Sequence, residues 1–200
     1  MHTFEAIRTR RAVKHYDPKF QIPPEQEQEL MDLVRQTPTS FNTQNWRFVK
    51  LTDPALRQKV RDVAWGQAQI TDASLVYVVC GDLSAYAKDP ARYMVNYPKE
   101  ISDMYVPKII EFYEGKDWQQ RDEAMRSAGL AAQTLMLAAR AMGYESCPMI
   151  GFDSEAVGEL INLPSDHVVC MIVVVGKGIE PARPKGGYID NEEVFIENGF

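Results

Sequence analysis

Cysteine is scarce in this chain, three in 200 residues, and Cys80, Cys147 and Cys170 stand far apart with no C-x-x-C pair among them. That spacing excludes zinc ribbons and thioredoxin-like dithiol chemistry. Cys80 and Cys170 fall in the apolar runs "LVYVVC" and "HVVCMIVVV", where a thiol packs as a small hydrophobe, so a reducing compartment is expected. Those runs are far shorter than the ~20 apolar residues that cross a bilayer, and no membrane partner is predicted. The opening "MHTFEAIRTRR" lacks the apolar stretch of a secretory leader, which predicts a cytoplasmic protein. A surplus of positive charge is missing too: 22 Lys and Arg against 28 Asp and Glu leave a net charge of −6. A general nucleic-acid binder needs a basic face, so no nucleic-acid partner is expected.

The common catalytic signatures are equally absent. "GKGIEP" begins like G-x-G-x-x-G after a strand, but Pro181 takes the third glycine position. There is no G-x-x-x-x-G-K-[ST] loop and no G-x-S-x-G elbow. His2, His15 and His167 have no metal-ligand spacing with one another or with carboxylates, so no metal is expected. Asp153 and Glu155 read as the cap and first turn of a helix.

What is present reads as one domain over residues 1–200, a size that buries a proper core. Phe4 and Ile7 suit a short amphipathic helix. "IPPEQEQELMDLVRQTP" predicts a firmer one, with Pro24 in its first turn, Leu30, Leu33 and Val34 as the buried stripe, and Pro38 as its stop. "WRFVKLT" alternates like a strand, Asp53-Pro54 starts a helix over "PALRQKVRDVA", and "LVYVVCG" reads as a buried strand. Residues 83–115, rich in Tyr, Met and Pro, read as an insertion with a helix around "YVPKIIEFY". From about Ala124 to Met142 small and apolar residues cover nearly every face, which predicts a helix buried all round, against the sheet on one side and another subunit on the other. Gly143 ends it, Asp153 caps a helix over "DSEAVGELINLP", and "HVVCMIVVVGKG" is the most hydrophobic strand. The tail from about residue 180 to 200 has little to pack into a core.

Against the acidic background, "RTRRAVKHYD" crowds Arg8, Arg10, Arg11 and Lys14 into seven positions. On spacing alone two readings stay open: a solvated helix end, or a phosphate clamp built from planar guanidinium forks and an ammonium point charge. "TPTSFNTQNWRF" packs the hydroxyls of Thr39, Ser40 and Thr43, the amides of Asn42, Gln44 and Asn45, and Trp46 into one loop, more than a helix-ending turn needs. "ESCPMIGFD" sets Pro148 and Gly151 around two apolar residues at a strand end, where backbone N–H groups are left free to face a ligand.

Taken in order, "RTRRAVKHYD", "TPTSFNTQNWRFV", "TDASLVYVVCGD", the long apolar helix, "CPMIGFD", "VVCMIVVVGKG" and "PKGG" resemble the FMN-dependent nitroreductase family along most of the chain. The resemblance implies an α+β fold: a mixed sheet flanked by helices, a long central helix at a homodimer contact, and a C-terminal arm (about 180–200) reaching over the partner. Two FMN sites would be shared between the subunits, with 83–115 a variable insertion near them.

Carried over residue by residue, Arg10 would engage the FMN phosphate or its neighbours, Lys185 would also face the phosphate, and Arg11 and Ala12 lie in the same binding run. Lys14 would sit near flavin N1 and O2, where its charge favours the reduced ring. Pro38, Thr39, Ser40, Phe41 and Asn42 would come from the partner subunit against the ring and ribityl chain. Pro148, Met149, Ile150 and Gly151 would pack under the ring and offer N–H groups toward N5 and O4. Where relatives carry Ser, Glu, Lys and a second C-terminal basic residue, this chain has Ala12, Ile150, Gln69 and Gly187. The chemistry implied is hydride transfer from NADH or NADPH to flavin N5, then by a ping-pong mechanism to a nitroaromatic, quinone or similar acceptor. Flavin reductase or ene-type reductase activity, or non-catalytic flavin binding in regulation or storage, are the rival expectations.

Overall fold

Alternation in two strands builds the centre of the molecule, which is a computed structural model describing all residues, 1–200. In β2 (Leu75–Asp82) every residue is buried, because Val76, Val78 and Cys80 face one layer of helices while Leu75, Tyr77 and Val79 face another. In β4 (His167–Gly176) Ile172 and Val174 join the first layer, Val173 and Val175 the second. A strand covered on both faces reads as a continuous apolar run, and both runs do. With β1 (Trp46–Lys50) and β3 (Glu145–Met149) they form one sheet of order β1-β2-β4-β3, antiparallel throughout. The parallel component is a single bridge, Ala12 to Ser146, beside the edge strand β3. Pro148 belongs to that edge strand, a place where a missing N–H disturbs no inner ladder.

One layer holds α1 (Thr3–Thr9), α2 (Pro24–Val34) and α6 (Asp117–Ala141); the other holds α3 (Pro54–Asp62), α4 (Gln69–Asp72) and α7 (Ser154–Leu160). The caps expected from sequence form: Asp53 Oδ1 accepts from Ala55 N at 2.9 Å, and Asp153 Oδ1 from Glu155 N and Ala156 N at 3.1 and 3.0 Å. In α2 the buried stripe is narrower than its apolar residues suggest. Leu30 and Val34 are fully buried, whereas Leu33 is 42% exposed, because it lies to the side of the line that meets α6.

Helix α6 starts at Asp117, seven residues before the expected Ala124, since its first two turns are polar apart from the exposed Trp118 and carry no apolar periodicity. Its inner face is alanine-rich for a reason: a Cβ added to Gly81 of β2 would stand 2.7 Å from the Ala124 Cβ, so helix and strand touch almost backbone to backbone. Within one chain α6 is not buried all round, and Leu130 remains 46% exposed on its outer face. Residues 83–115 carry a 3-10 turn (Pro90–Met94) and α5 (Lys99–Tyr113), longer than its apolar core suggested. From Arg183 to Phe200 every residue is exposed, with only the short α8 (Asn191–Val194) in that stretch.

Candidate active site: a cationic groove beside the edge strand

The opening basic run is threaded between two parts of the chain more than a hundred residues away. Val13 N donates to Ser146 O at 3.1 Å, holding the run against β3. Two and four residues on, His15 O accepts from Ile179 N at 3.1 Å and Asp17 N donates to Lys177 O at 2.9 Å, holding it against the exit of β4. Val13 and Tyr16 turn inward and are buried, so the intervening side chains turn outward. The result is a groove of about 540 Å³ lined by Arg10, Arg11, Ala12, Lys14, Gln67, Gln69, Arg183, Pro184 and Lys185.

Five cations line this groove and no carboxylate does. Arg10, Arg11, Lys14, Arg183 and Lys185 take part in none of the chain's ion pairs. What holds them is neutral: Arg11 Nη2 donates to Arg183 O at 2.5 Å, and Lys185 Nζ to Tyr188 Oη at 2.7 Å. Uncompensated like charges held together repel one another, and the repulsion is relieved by an anion. Beneath them the Cys147 thiol is fully buried; burial pushes its pKa up, with the neighbouring Lys14 and Arg10 pulling the other way. A buried thiol so held is a packing group rather than a nucleophile.

The strand end lies alongside. Gln67 Nε2 donates to Gly151 O at 2.8 Å, which ties the 148–151 segment to the groove wall. The N–H groups of Ile150 and Gly151 donate to no backbone carbonyl. Ile150 is 80% exposed, its side chain left uncovered by its own chain. A Cβ at position 151 would stand 2.6 Å from Cζ3 of Trp65, so the exposed Trp65 ring, on a backbone at φ 56°, would have to shift to admit a side chain there.

Of the residues singled out from sequence, the chain brings together Arg10, Arg11, Ala12, Lys14, Gln69 and Lys185, with Pro148–Gly151 adjoining through Gln67. Pro38, Thr39, Ser40, Phe41 and Asn42 are elsewhere. They run into β1, at the opposite edge of the sheet from β3, and none of them lines the groove. That loop is nonetheless built with care. Phe41, Asn42 and Gln44 all have positive φ, Ser40 N donates toward the buried Glu123 at 3.4 Å, and Asn42 Nδ2 donates to Tyr93 O at 3.2 Å. Three strained non-glycine residues in one loop persist only where surrounding contacts over-determine them.

Sequence reasoning missed Gln67 and Arg183. Each stands two positions before a residue that the family resemblance marked, and no local pattern in the sequence singles it out. It also missed that His167 meets carboxylates in space. Asp82, Asp166 and His167 converge, with their ligand atoms within 4.8 Å, because β2 and β4 pair there. The chain's own cations satisfy this cluster: Lys88 Nζ lies 2.9 Å from Asp82 Oδ1 and 2.6 Å from Asp166 Oδ2, and Arg47 Nη2 lies 2.8 Å from Asp82 Oδ2.

The knot pins residues 83–88 to the end of the sheet. The Lys88 ammonium holds the Asp166 carboxyl down at about 2. A depressed folded-state value contributes stability that is complete above the ordinary carboxylate range, about pH 4, and lost as pH falls toward about 2. Asp166→Asn is therefore expected to lower stability at neutral pH and to flatten its fall between about pH 4 and pH 2, read from urea midpoints across that range. An unchanged acid limb would remove Asp166 from the account.

Comparison with known proteins identifies the family. The model of the nitroreductase family matches residues 7–177, from the opening basic run to the exit of β4. Protein DrgA of Synechocystis sp. is 52% identical over 185 residues, covering 92% of this chain and 88% of that protein. The oxygen-insensitive NADPH nitroreductase of Helicobacter pylori is 25% identical, over 90% of each chain. Among solved structures, a nitroreductase-like protein from Exiguobacterium sibiricum in complex with FMN superposes with a TM-score of 0.89 at 26% identity, covering 98% of this chain and 96% of that one. With the family model spanning most of its length and a relative at 52% identity, the chain belongs to the nitroreductase family.

Proposed function

We propose that the protein is an FMN-dependent NAD(P)H oxidoreductase acting on a nitroaromatic, quinone or similar small acceptor. The observation that carries this reading is the groove with five cations and no carboxylate, beside a strand end whose N–H groups are free. The residues fit the cofactor: the groove's volume is that of a cofactor site, its charge suits a phosphomonoester, and Ile150 and Gly151 offer donors to the polar edge of a ring. When bound, FMN supplies the redox chemistry, accepting two electrons from a reduced nicotinamide and yielding them to the acceptor.

Arg10, Arg11 and Lys185 would hold the phosphate, as guanidinium forks and a point charge do. Lys14, with no carboxylate neighbour, would present its ammonium to the N1–O2 edge, where negative charge grows on reduction. The backbone N–H groups of Ile150 and Gly151 would orient the ring by main-chain contacts that do not depend on side-chain identity, which accommodates Ile at position 150. Ala12 has no hydroxyl to add to the phosphate, and the neighbouring arginines carry that load.

The 38–42 loop lies at the wrong edge of the sheet to reach the groove of its own chain, and a homodimer resolves this. A two-fold partner would bring its loop to this groove and receive this chain's loop in return. The exposed outer face of α6 and the coreless tail, from about residue 180, would form the contact and the arm over the partner. The reading makes residues 1–200 one domain, with 83–115 an insertion near the site.

Lys14→Met is expected to retain FMN but lower its reduction potential, and to slow reduction by NAD(P)H. At two electrons about 30 mV corresponds to about 1.4 kcal/mol, within reach of one partly shielded charge. Anaerobic titration against reference dyes reads the potential; an unchanged value in the flavin-saturated variant would assign Lys14 to the phosphate instead. The proposed activity itself is tested by mixing the protein anaerobically with NADH or NADPH and then, separately, with a nitroaromatic or quinone. Bleaching by the first and recovery by the second, each without the other present, supports a ping-pong oxidoreductase. Flavin that reduced coenzyme leaves unbleached would point to binding without turnover.

A further inference from the structure

A small internal pocket lies where several parts of the chain meet. Asn45 leads into β1, Asp82 ends β2, Tyr86 belongs to the 83–115 segment, Tyr113 ends α5, and Gln120 and Glu123 stand in the first turns of α6. Two polar atoms on its wall, Asn45 Oδ1 and Tyr113 Oη, are buried without a hydrogen-bond partner in the chain. Their residues are only 5% and 3% exposed. A buried polar group left unpaired costs more than an ordinary hydrogen bond gains, so two of them on one pocket point to a shared ligand. The space open to the centre of a water-sized sphere there is about 10 Å³, room for a single water molecule. The carboxylates nearby do not call for a cation, because Arg47 and Lys88 already meet Asp82, and Arg126 meets Glu123. A neutral molecule that both accepts and donates is what the wall asks for. Water can accept from the Tyr113 hydroxyl, donate to Asn45 Oδ1, and keep a second proton for Glu123.

The same groups hold the 38–42 loop. Glu123, 8% exposed, accepts from Ser40 N at 3.4 Å and from Ser127 Oγ at 2.8 Å, which joins the loop to α6. The Tyr113 ring meets Phe41 edge-on with centroids 6.2 Å apart, and Phe41 is one of the residues at positive φ. Gln120 Nε2 in turn holds the backbone of Tyr113, donating to its carbonyl at 2.9 Å. Resting on the reading that this loop completes the flavin site of a partner subunit, we propose that the pocket binds one water molecule, and that Tyr113 is a positioning residue. Through that water and Glu123 it holds the strained loop in shape before any partner or flavin arrives. Strained backbone persists only where its surroundings over-determine it, and a loop already in its binding shape loses less freedom when it binds.

The first test needs no variant. A crystal structure of the protein is expected to show one ordered water within hydrogen-bond distance of Tyr113 Oη and Asn45 Oδ1, and a pocket closed by side chains without that water would overturn the binding site. Tyr113→Phe then removes only the hydroxyl and keeps the ring against Phe41. In the flavin-free full-length variant, amide hydrogen exchange over residues 39–45 is expected to quicken roughly ten-fold, with exchange in β2 and β4 unchanged. FMN affinity should fall several-fold, and the visible circular dichroism of the bound flavin should change at saturation, which a loss of general stability would not produce. Exchange over 39–45 as slow as in the wild-type chain would overturn the role of the hydroxyl. Exchange quickened throughout the sheet would make the pocket a stabilising element only and overturn the positioning role. A loosened loop with flavin affinity and dichroism unchanged would overturn that role too, and leave the FMN reading intact. Failure of the wild-type chain to bind FMN would overturn the reading of the groove, while the crystal structure and the exchange still decide on the water and its hold on the loop.

Discussion

Arg10→Ala combined with Lys185→Ala is expected to purify nearly free of flavin. Arg10 reaches the groove from the start of the chain and Lys185 from the irregular segment that follows β4, so the double variant removes charge from both walls. Charge-assisted hydrogen bonds contribute about 1.5–3 kcal/mol each. Two of them amount to about 3–6 kcal/mol, roughly a hundred-fold to ten-thousand-fold in affinity. Fold stability should hardly change, because neither side chain takes part in an ion pair or in the core. Removing two of five mutually repelling cations has, if anything, a small stabilising effect on the flavin-free chain. The ratio of flavin to protein absorbance reads the outcome, and a melting curve of the flavin-free form checks the fold. Full flavin occupancy in the double variant would show that the phosphate lies elsewhere.

Leu130→Glu is expected to have a comparably large effect through a different route. Leu130 sits on the outer face of α6, 46% exposed, in a chain whose α1 adds exposed Phe4 and Ile7 nearby in the same layer. Apolar surface of this kind marks a contact. A carboxylate placed at a two-fold contact meets its own symmetry mate or an apolar surface, and either costs several kcal/mol per dimer. The proposed dimer should dissociate in sedimentation at micromolar concentration. Because the 38–42 loop cannot reach its own groove, flavin should be lost together with the dimer. Monomers that keep flavin at full affinity would mean that the groove is complete in one chain, and the shared site would fall.

How much of this was legible in the sequence follows from range. The capped helices at Asp53 and Asp153 and the two buried strands are local patterns, and they formed as read. The basic run was conspicuous because its charge opposes that of the chain, whereas Lys185 was marked only by the family resemblance. What did not show was set by pairing at a distance. Asp82 meets His167 only because β2 and β4 are in register there. Gln67 matters only because it faces Gly151, 84 residues on. Leu33 looked like its neighbours Leu30 and Val34, and only the line of contact with α6 separates them. The first turns of α6 are polar, so periodicity began late. The 38–42 loop showed itself by composition, while its position at the far edge of the sheet is a matter of strand order, which no local pattern carries.

The central claim is that the groove between the opening basic run and the residues after β4 holds a flavin mononucleotide. An absorption spectrum of the purified protein, followed by chromatography and mass measurement of what heat releases from it, tests this directly. Flavin bands and FMN at close to one per chain are the predicted result. A colourless protein that also fails to take up added FMN would contradict it.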